Sequence, residues 1–323
     1  MTVTSITDLL RYKPNANGDY LVGQGFLSYA GSVLLTGEPG GGKSKWIQHL
    51  MFSFAMGMPF LGFTPARSLR ILYVQNEDTM DDMHESLLGF VEQHGLGKAE
   101  RSLIDKNCVL IHSSGASGDE FVAELRREVE THRPDIVITD PLLAFIGCDL
   151  TDQVGVTSFL RDGMAPMLKE LRCGWICVHH SSKGSIGKFA GSAVTRGLGS
   201  IEIAAFFRGI IDLARKPSDP NVIIMEVAKR GRQADLRTPD GQRTNKLMLR
   251  IGSEFISWMA DAVAMAPKAP KPAGRPAKSK KDDVAAFVSE KRKGGADDKA
   301  LTKAVAEHFG YSVKQARRYV TAS

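Results

Sequence analysis

The sequence predicts an α/β fold, a mostly parallel sheet with helices on both faces, followed by a small all-α module at the C-terminal end. Three observations lead there. Short apolar runs of strand length alternate with amphipathic runs of helical period. A glycine-rich turn, Gly37 to Ser44, lies between the first such strand and the first such helix. Residues 266–281 then break the pattern ahead of a last amphipathic stretch.

Taken in order, Ser32-Val33-Leu34-Leu35-Thr36 reads as a buried strand, and Trp46, Ile47, Leu50, Met51 and Phe54 recur at helical spacing. Arg70 to Gln75 is a strand followed by a helix through Met83, Leu87 and Val91. Cys108 to Ile111 is a short strand, and Phe121, Leu125 and Val129 mark the next helix. Asp135 to Asp140 and Gly174 to Val178 are two more apolar strands, separated by a helix through Phe159, Met164 and Leu168. Such alternation implies parallel strands, whose ligands bind beyond the carboxyl ends, so the residues that end each strand are the candidates for chemistry.

Gly37, Glu38, Pro39, Gly40, Gly41, Gly42, Lys43 and Ser44 fit the phosphate-loop pattern G-x-x-x-x-G-K-[ST] in the strand-loop-helix setting it requires. Glycines let backbone N–H groups curl around phosphates where any Cβ would obstruct. Lys43 would reach the β- and γ-phosphates, and the Ser44 hydroxyl would ligate Mg²⁺ at a helix N-terminus that favours anions. A nucleoside triphosphate is therefore the expected ligand. Asp140 ends its apolar run in the form of a Walker B acid and would hold Mg²⁺ through water. Glu77 and Asp78 end the 70–75 strand in the same sense. Glu77 is the candidate base for an attacking water, and Asp78 suits the start of the following helix. His179 and His180 follow the next strand, where a histidine could hydrogen-bond a γ-phosphate. The stretch from Lys183 to Gly199 carries five glycines with Lys183, Lys188 and Arg196, and suits a basic loop touching nucleic-acid phosphates.

With 323 residues, 43% hydrophobic and 24% charged, the chain has room for one large domain and something small. Domains are expected at 1–265 and 282–323, joined by a Pro/Lys-rich linker over 266–281. Residues 1–265 hold 28 Lys/Arg against 30 Asp/Glu, whereas residues 266–323 hold 14 against 6. The basic excess is thus all in the tail, which points to a polyanion such as nucleic acid or else to a solubilising extension. No run approaches the roughly 20 apolar residues of a membrane span, no signal peptide is evident, and a cytoplasmic location without a membrane partner is the expectation. Cys108, Cys148, Cys173 and Cys177 lack metal-type spacing and read as reduced thiols.

The order GEPGGGKS, ILYVQNED, DIVITD, VHHSSKG and TRG resembles the RecA-like P-loop motor of RepA-type hexameric helicases and, more loosely, of DnaB-like replicative helicases. The likeness covers about residues 20–250. It implies a homohexamer with ATP at each interface, translocating on single-stranded DNA. It makes Glu77 the catalytic glutamate, Lys43 and Ser44 the phosphate and metal ligands, Asp140 the Walker B acid and His180 a sensor. It also implies a cation supplied in trans, for which Arg208 and the group Lys229, Arg230 and Arg232 both qualify.

The tail adds an independent reading. Leu301, Ala304, Val305 and Phe309 form one helical stripe, Gly310-Tyr311-Ser312 makes a turn, and Ser312 can cap a second helix that exposes Lys314, Gln315, Arg317 and Arg318. This is a helix-turn-helix pattern, suited to duplex DNA or to docking on a replication protein. The expected function is an ATP-dependent DNA helicase of a plasmid, phage or mobile element. The alternative is a recombinase-like or regulatory ATPase that assembles on DNA without unwinding it.

Overall fold

The computed structural model describes residues 4–113, 115–180, 201–238, 240–251, 258–260 and 280–322. Lys183, Lys188, Arg196 and most of the 266–281 linker lie outside the described residues. The chain divides into two compact units, Met1–Ala266 and Pro267–Ser323. Among the described residues no helix is long and apolar enough to cross a membrane.

In the first unit the strands are β1 (Tyr20–Val22), β2 (Leu27–Ser28), β3 (Ser32–Gly37), β4 (Ile71–Gln75), β5 (Cys108–His112), β6 (Ile136–Asp140), β7 (Gly174–His180), β8 (Gly209–Lys216), β9 (Asp219–Lys229), β10 (Lys246–Ile251) and β11 (Trp258–Ala260). β1 and β2 form a small antiparallel ribbon, and the others form one sheet in the order β11-β10-β9-β8-β3-β7-β6-β4-β5. From β8 to β5 every neighbouring pair is parallel. This is the mostly parallel sheet that the alternating pattern predicts, consistent with the RecA-like P-loop architecture that the resemblance implies. Its central strands read as continuous apolar runs because both faces are covered.

On one face Val33, Leu35, Ile71, Ile138 and Ile176 pack with Trp46, Leu50 and Phe54 of the helix Lys43–Ala55. On the other, Leu34, Leu72, Val137 and Trp175 pack with Phe121, Leu125, Phe159 and Met164. Strand alternation thus assigns odd and even positions to two separate cores.

Two features differ from the sequence reading. The segment through Phe159 and Met164 is not one regular α-helix: Ser158–Met164 is π-helical and continues as the α-helix Ala165–Glu170. Both side chains are buried five positions apart, a spacing that a π turn brings to one face and an α turn does not. The parallel sheet is also extended by β9, β10 and β11, paired antiparallel.

The amino edge of the sheet is clamped by Asp135, 2% exposed. Its carboxylate accepts both Arg67 guanidinium nitrogens at 2.9 and 2.8 Å, the Tyr29 hydroxyl at 3.1 Å and the Arg70 amide at 2.9 Å. Burial alone would raise its pKa. The Arg67 and Arg70 hydrogen bonds outweigh that and hold it below the ordinary 3.8.

Among the described residues the second unit holds three helices, Lys280–Lys293, Asp298–Phe309 and Val313–Ala322, around Val284, Val288, Leu301, Val305, Ala316 and Val320. Asp297 caps the middle helix by accepting from the Ala300 amide at 2.7 Å. Gly310 ends it at φ 66°, left-handed backbone that favours glycine. The Ser312 hydroxyl then accepts from the Gln315 amide at 3.3 Å at the start of the last helix. The first helix was not foreseen, and it takes in Lys280 and Lys281, which the sequence reading gave to the linker. Its charged composition offers only a sparse apolar stripe.

Replacing Asp135 with Asn is expected to cost about 2–3 kcal/mol, read as a lower midpoint in urea unfolding at neutral pH. Because the folded pKa is depressed, the wild-type advantage is present above about pH 4 and fades as pH falls through the lower folded value. A difference between the two proteins that persists unchanged at pH 2 would sink this account.

Candidate nucleotide site

The carboxyl ends of β3, β7, β6 and β4 bring the predicted residues to one edge. Register sets His180 beside Gly37 and Asp140 beside Gln75. Gly37 must be glycine because an added Cβ would overlap the Leu213 carbonyl oxygen of β8. Gly40 and Gly42 follow at φ 69° and 80°, curling the loop into the helix Lys43–Ala55, whose N-terminus faces the loop.

Lys43, 3% exposed, donates to the carbonyls of Gly37 at 2.9 Å and Glu38 at 2.8 Å. Burial lowers its pKa to about 8, opposed in order by Asp140, Glu77 and Asp212. It stays mostly protonated at neutral pH, a cation in a nearly dry setting with the carboxylates of Asp140, Glu77, Asp212 and Glu38 around it.

Asp140 is 2% exposed, and burial raises its pKa to about 6 while the Ser44 and Tyr73 hydroxyls pull it back. Its Oδ2 accepts from the Tyr73 hydroxyl at 3.0 Å. Its Oδ1 is buried with no hydrogen-bond partner. An ionised, half-satisfied carboxylate near a helix-terminal serine is a donor set that fits a hard divalent cation accompanying phosphate.

Glu77 is 52% exposed, and its Oε2 lies 3.3 Å from Nε2 of His180. The structure therefore joins two residues picked separately from the sequence. Its neighbours are fixed: the Asp78 amide donates to Gln75 Oε1 at 2.8 Å, the Gln75 side-chain amide donates to the Asp78 carbonyl at 2.9 Å, and Gln48 donates to the Asp78 carboxylate. Asp78 does not cap the next helix. Thr79 does, in a reciprocal box with Asp82. Glu77 is left as the projecting carboxylate between two anchored segments.

The candidate trans cations lie at the other edge. The Arg208 amide donates to the Ser32 carbonyl at 3.1 Å, and Gly209 pairs with Val33, so Arg208 stands at the amino end of β3. Arg230 follows β9 there, close enough to Arg208 to have its pKa lowered by it after burial. Lys229 donates to the carbonyls of Ala204 at 2.7 Å and Phe207 at 2.9 Å, so its ammonium is tied to the end of the helix Ile201–Phe206. Arg208 and Arg232 remain exposed. In the second unit Lys314, Gln315, Arg317 and Arg318 are exposed on the last helix.

Three residues of the site escaped the sequence reading. Tyr73 looked like an ordinary apolar strand residue. Asp212, a lone charge in the apolar run of β8 and 3% exposed, carried a usable signal. Arg215, which donates to the Gly40 carbonyl at 2.8 Å, carried none, because 175 residues separate the partners.

Lys43→Ala is expected to weaken ATP binding by at least about tenfold, measured by equilibrium titration of a fluorescent ATP analogue. Unchanged affinity would place the nucleotide elsewhere.

A family model described as AAA domain (AAA_25) matches residues 8–185. No curated protein matches the chain. The matched span holds the phosphate loop, Glu77, Asp140 and His180 and stops short of Arg208 and the second unit. With the glycine loop, buried lysine and strand-end acid assembled at one edge of a parallel sheet, the chain belongs to the AAA domain family, as a nucleotide-binding P-loop ATPase.

Proposed function

We propose that this chain is an ATP-driven DNA helicase, a ring-shaped homohexameric motor on single-stranded DNA, serving replication of a plasmid, phage or mobile element. The observation that carries the reading is the division of charge between the two edges of one sheet. Lys43, Asp140 and Glu77 sit at the carboxyl edge, and Arg208 and Arg230 sit at the amino edge, roughly 23 Å away along β8. A cation there is out of reach of its own phosphate loop and available to a neighbouring copy, which is how a ring shares each site between subunits.

In this reading Lys43 and the loop amides hold the β- and γ-phosphates. Ser44 and Asp140 hold Mg²⁺, whose chemistry when bound is to spread the phosphate charge. Glu77 orients the attacking water and takes its proton, and His180 restrains Glu77 through their shared contact. Arg208, or its neighbours Arg230 and Arg232, enters from the adjacent subunit and stabilises charge in the transition state. Lys183, Lys188 and Arg196 contact single-stranded DNA. The exposed row Lys314, Gln315, Arg317 and Arg318 meets duplex DNA, or a replication protein, through the last helix. A second reading, a recombinase-like or regulatory ATPase assembling on DNA, draws on the same basic second unit.

The deciding experiment is steady-state ATP hydrolysis with and without single-stranded DNA, alongside unwinding of a forked duplex, for wild type and Glu77→Gln. The expected outcome is DNA-stimulated hydrolysis with unwinding in the wild type, and loss of at least about 100-fold of the rate in the variant. Hydrolysis without unwinding would favour the assembly reading, and a fully active variant would remove Glu77 from the chemistry. For the second unit, Arg317→Ala with Arg318→Ala is expected to weaken duplex binding at every sequence and to flatten its salt dependence by about two phosphate contacts. An unchanged salt slope would point to protein docking instead.

A further inference from the structure

Strand β8 touches the phosphate loop twice. The Leu213 carbonyl oxygen abuts Gly37, and two residues on, the Arg215 guanidinium donates to the Gly40 carbonyl at 2.8 Å. The register of β8 against β9 shifts between Arg215 and Lys216, an irregularity of the kind that re-aims a side chain. From these contacts we infer that Arg215 is a positioning residue of the nucleotide site, acting through the backbone of the phosphate loop.

The argument is geometric. A peptide unit is planar and trans, so its C=O and N–H point in opposite directions. Arg215 holds the Gly40 carbonyl, so the Gly41 N–H of the same peptide unit points the opposite way, where it donates to the Glu38 carbonyl at 3.1 Å within the loop. A phosphate oxygen that collects the loop amides takes over that N–H in exchange for the Glu38 carbonyl. Packing does not impose this orientation: an added Cβ on Gly40 would meet nothing within 4 Å, and its φ of 69° is accessible to glycine among many others. Lys43 holds the neighbouring carbonyls of Gly37 and Glu38, but it has to give these up to reach a phosphate. Arg215 belongs to β8 and not to the loop, so its hold on Gly40 survives the exchange. It preorganises the Gly40–Gly41 peptide for a polyphosphate and lowers the ordering cost of binding.

The test compares wild type, Arg215→Ala, Arg215→Lys and Lys216→Ala for Mg²⁺-ATP and Mg²⁺-ADP affinity, for KM and kcat of hydrolysis, and for thermal midpoint. Lys216 is a neighbouring cation of the same hairpin and reports on the general electrostatic field. The expected result is a roughly tenfold rise in Kd and KM for Arg215→Ala, with kcat within about twofold and the thermal midpoint unchanged. Arg215→Lys recovers part of the loss, and Lys216→Ala behaves as wild type. Wild-type KM in Arg215→Ala overturns the inference, as does an equal loss in Lys216→Ala. A fall in kcat at unchanged KM also overturns it, by giving Arg215 a direct part in the transition state. The inference rests on nucleotide binding at this loop and not on helicase activity. A wild type that binds nucleotide without unwinding DNA leaves it standing, and one that binds no nucleotide defeats both.

Discussion

Burial of the central parallel strands on both faces is the constraint from which the site follows. Apolar side chains fill both cores, and polar groups are driven to the ends of the strands, where the backbone stops pairing and loops begin. At the carboxyl end of β3 the chain turns under the Leu213 carbonyl, and that close approach admits only glycine at position 37. The curl that follows delivers Lys43 back onto its own loop and starts a helix whose buried face anchors the whole edge. Without the two-sided core there would be no rigid edge on which to align separate strand ends.

At that edge electrostatics and burial oppose one another productively. Lys43 and Asp140 are both nearly inaccessible to water, so burial lowers the pKa of the first and raises that of the second. Lys43 is kept charged at neutral pH by Asp140, Glu77 and Asp212, and the Ser44 and Tyr73 hydroxyls favour the charged form of Asp140 against the neighbouring Asp78 and Glu77 carboxylates. A charge held in a dry setting interacts more strongly with an incoming phosphate than one exposed to solvent. Glu77 stays outside this dry core, on a turn whose flanks are fixed by Gln75 and Thr79, so it is placed accurately while remaining open to water.

β8 runs between the two charged edges. Its first residue follows Arg208 at the amino edge, and its last residues hold the phosphate loop.

Much of the site was legible because its chemistry is written at the ends of apolar runs. Gly37 to Ser44, Glu77, Asp140 and His180 each follow a strand recognisable from local pattern. The Glu77–His180 contact was not legible, since it depends on β7 and β4 being placed two strands apart on either side of β6. The π turn at Ser158–Met164 was misread because a five-residue spacing still resembles a helix when seen alone. The helix Lys280–Lys293 was missed because its core contacts are too sparse to show a period.

What the sequence determined by itself is the phosphate loop, the plan of a parallel sheet with helices on both faces and the separation of a basic C-terminal unit, because these rest on local backbone freedom, apolar periodicity and composition. What only the tertiary structure decided is which distant residues serve that loop: Tyr73 on Asp140, Asp212 near Lys43, and Arg215 on Gly40, and equally the diversion of Lys229 to a helix end. Those pairings are set by strand order and register, which depend on how the full core packs and leave no mark in the residues nearby in sequence.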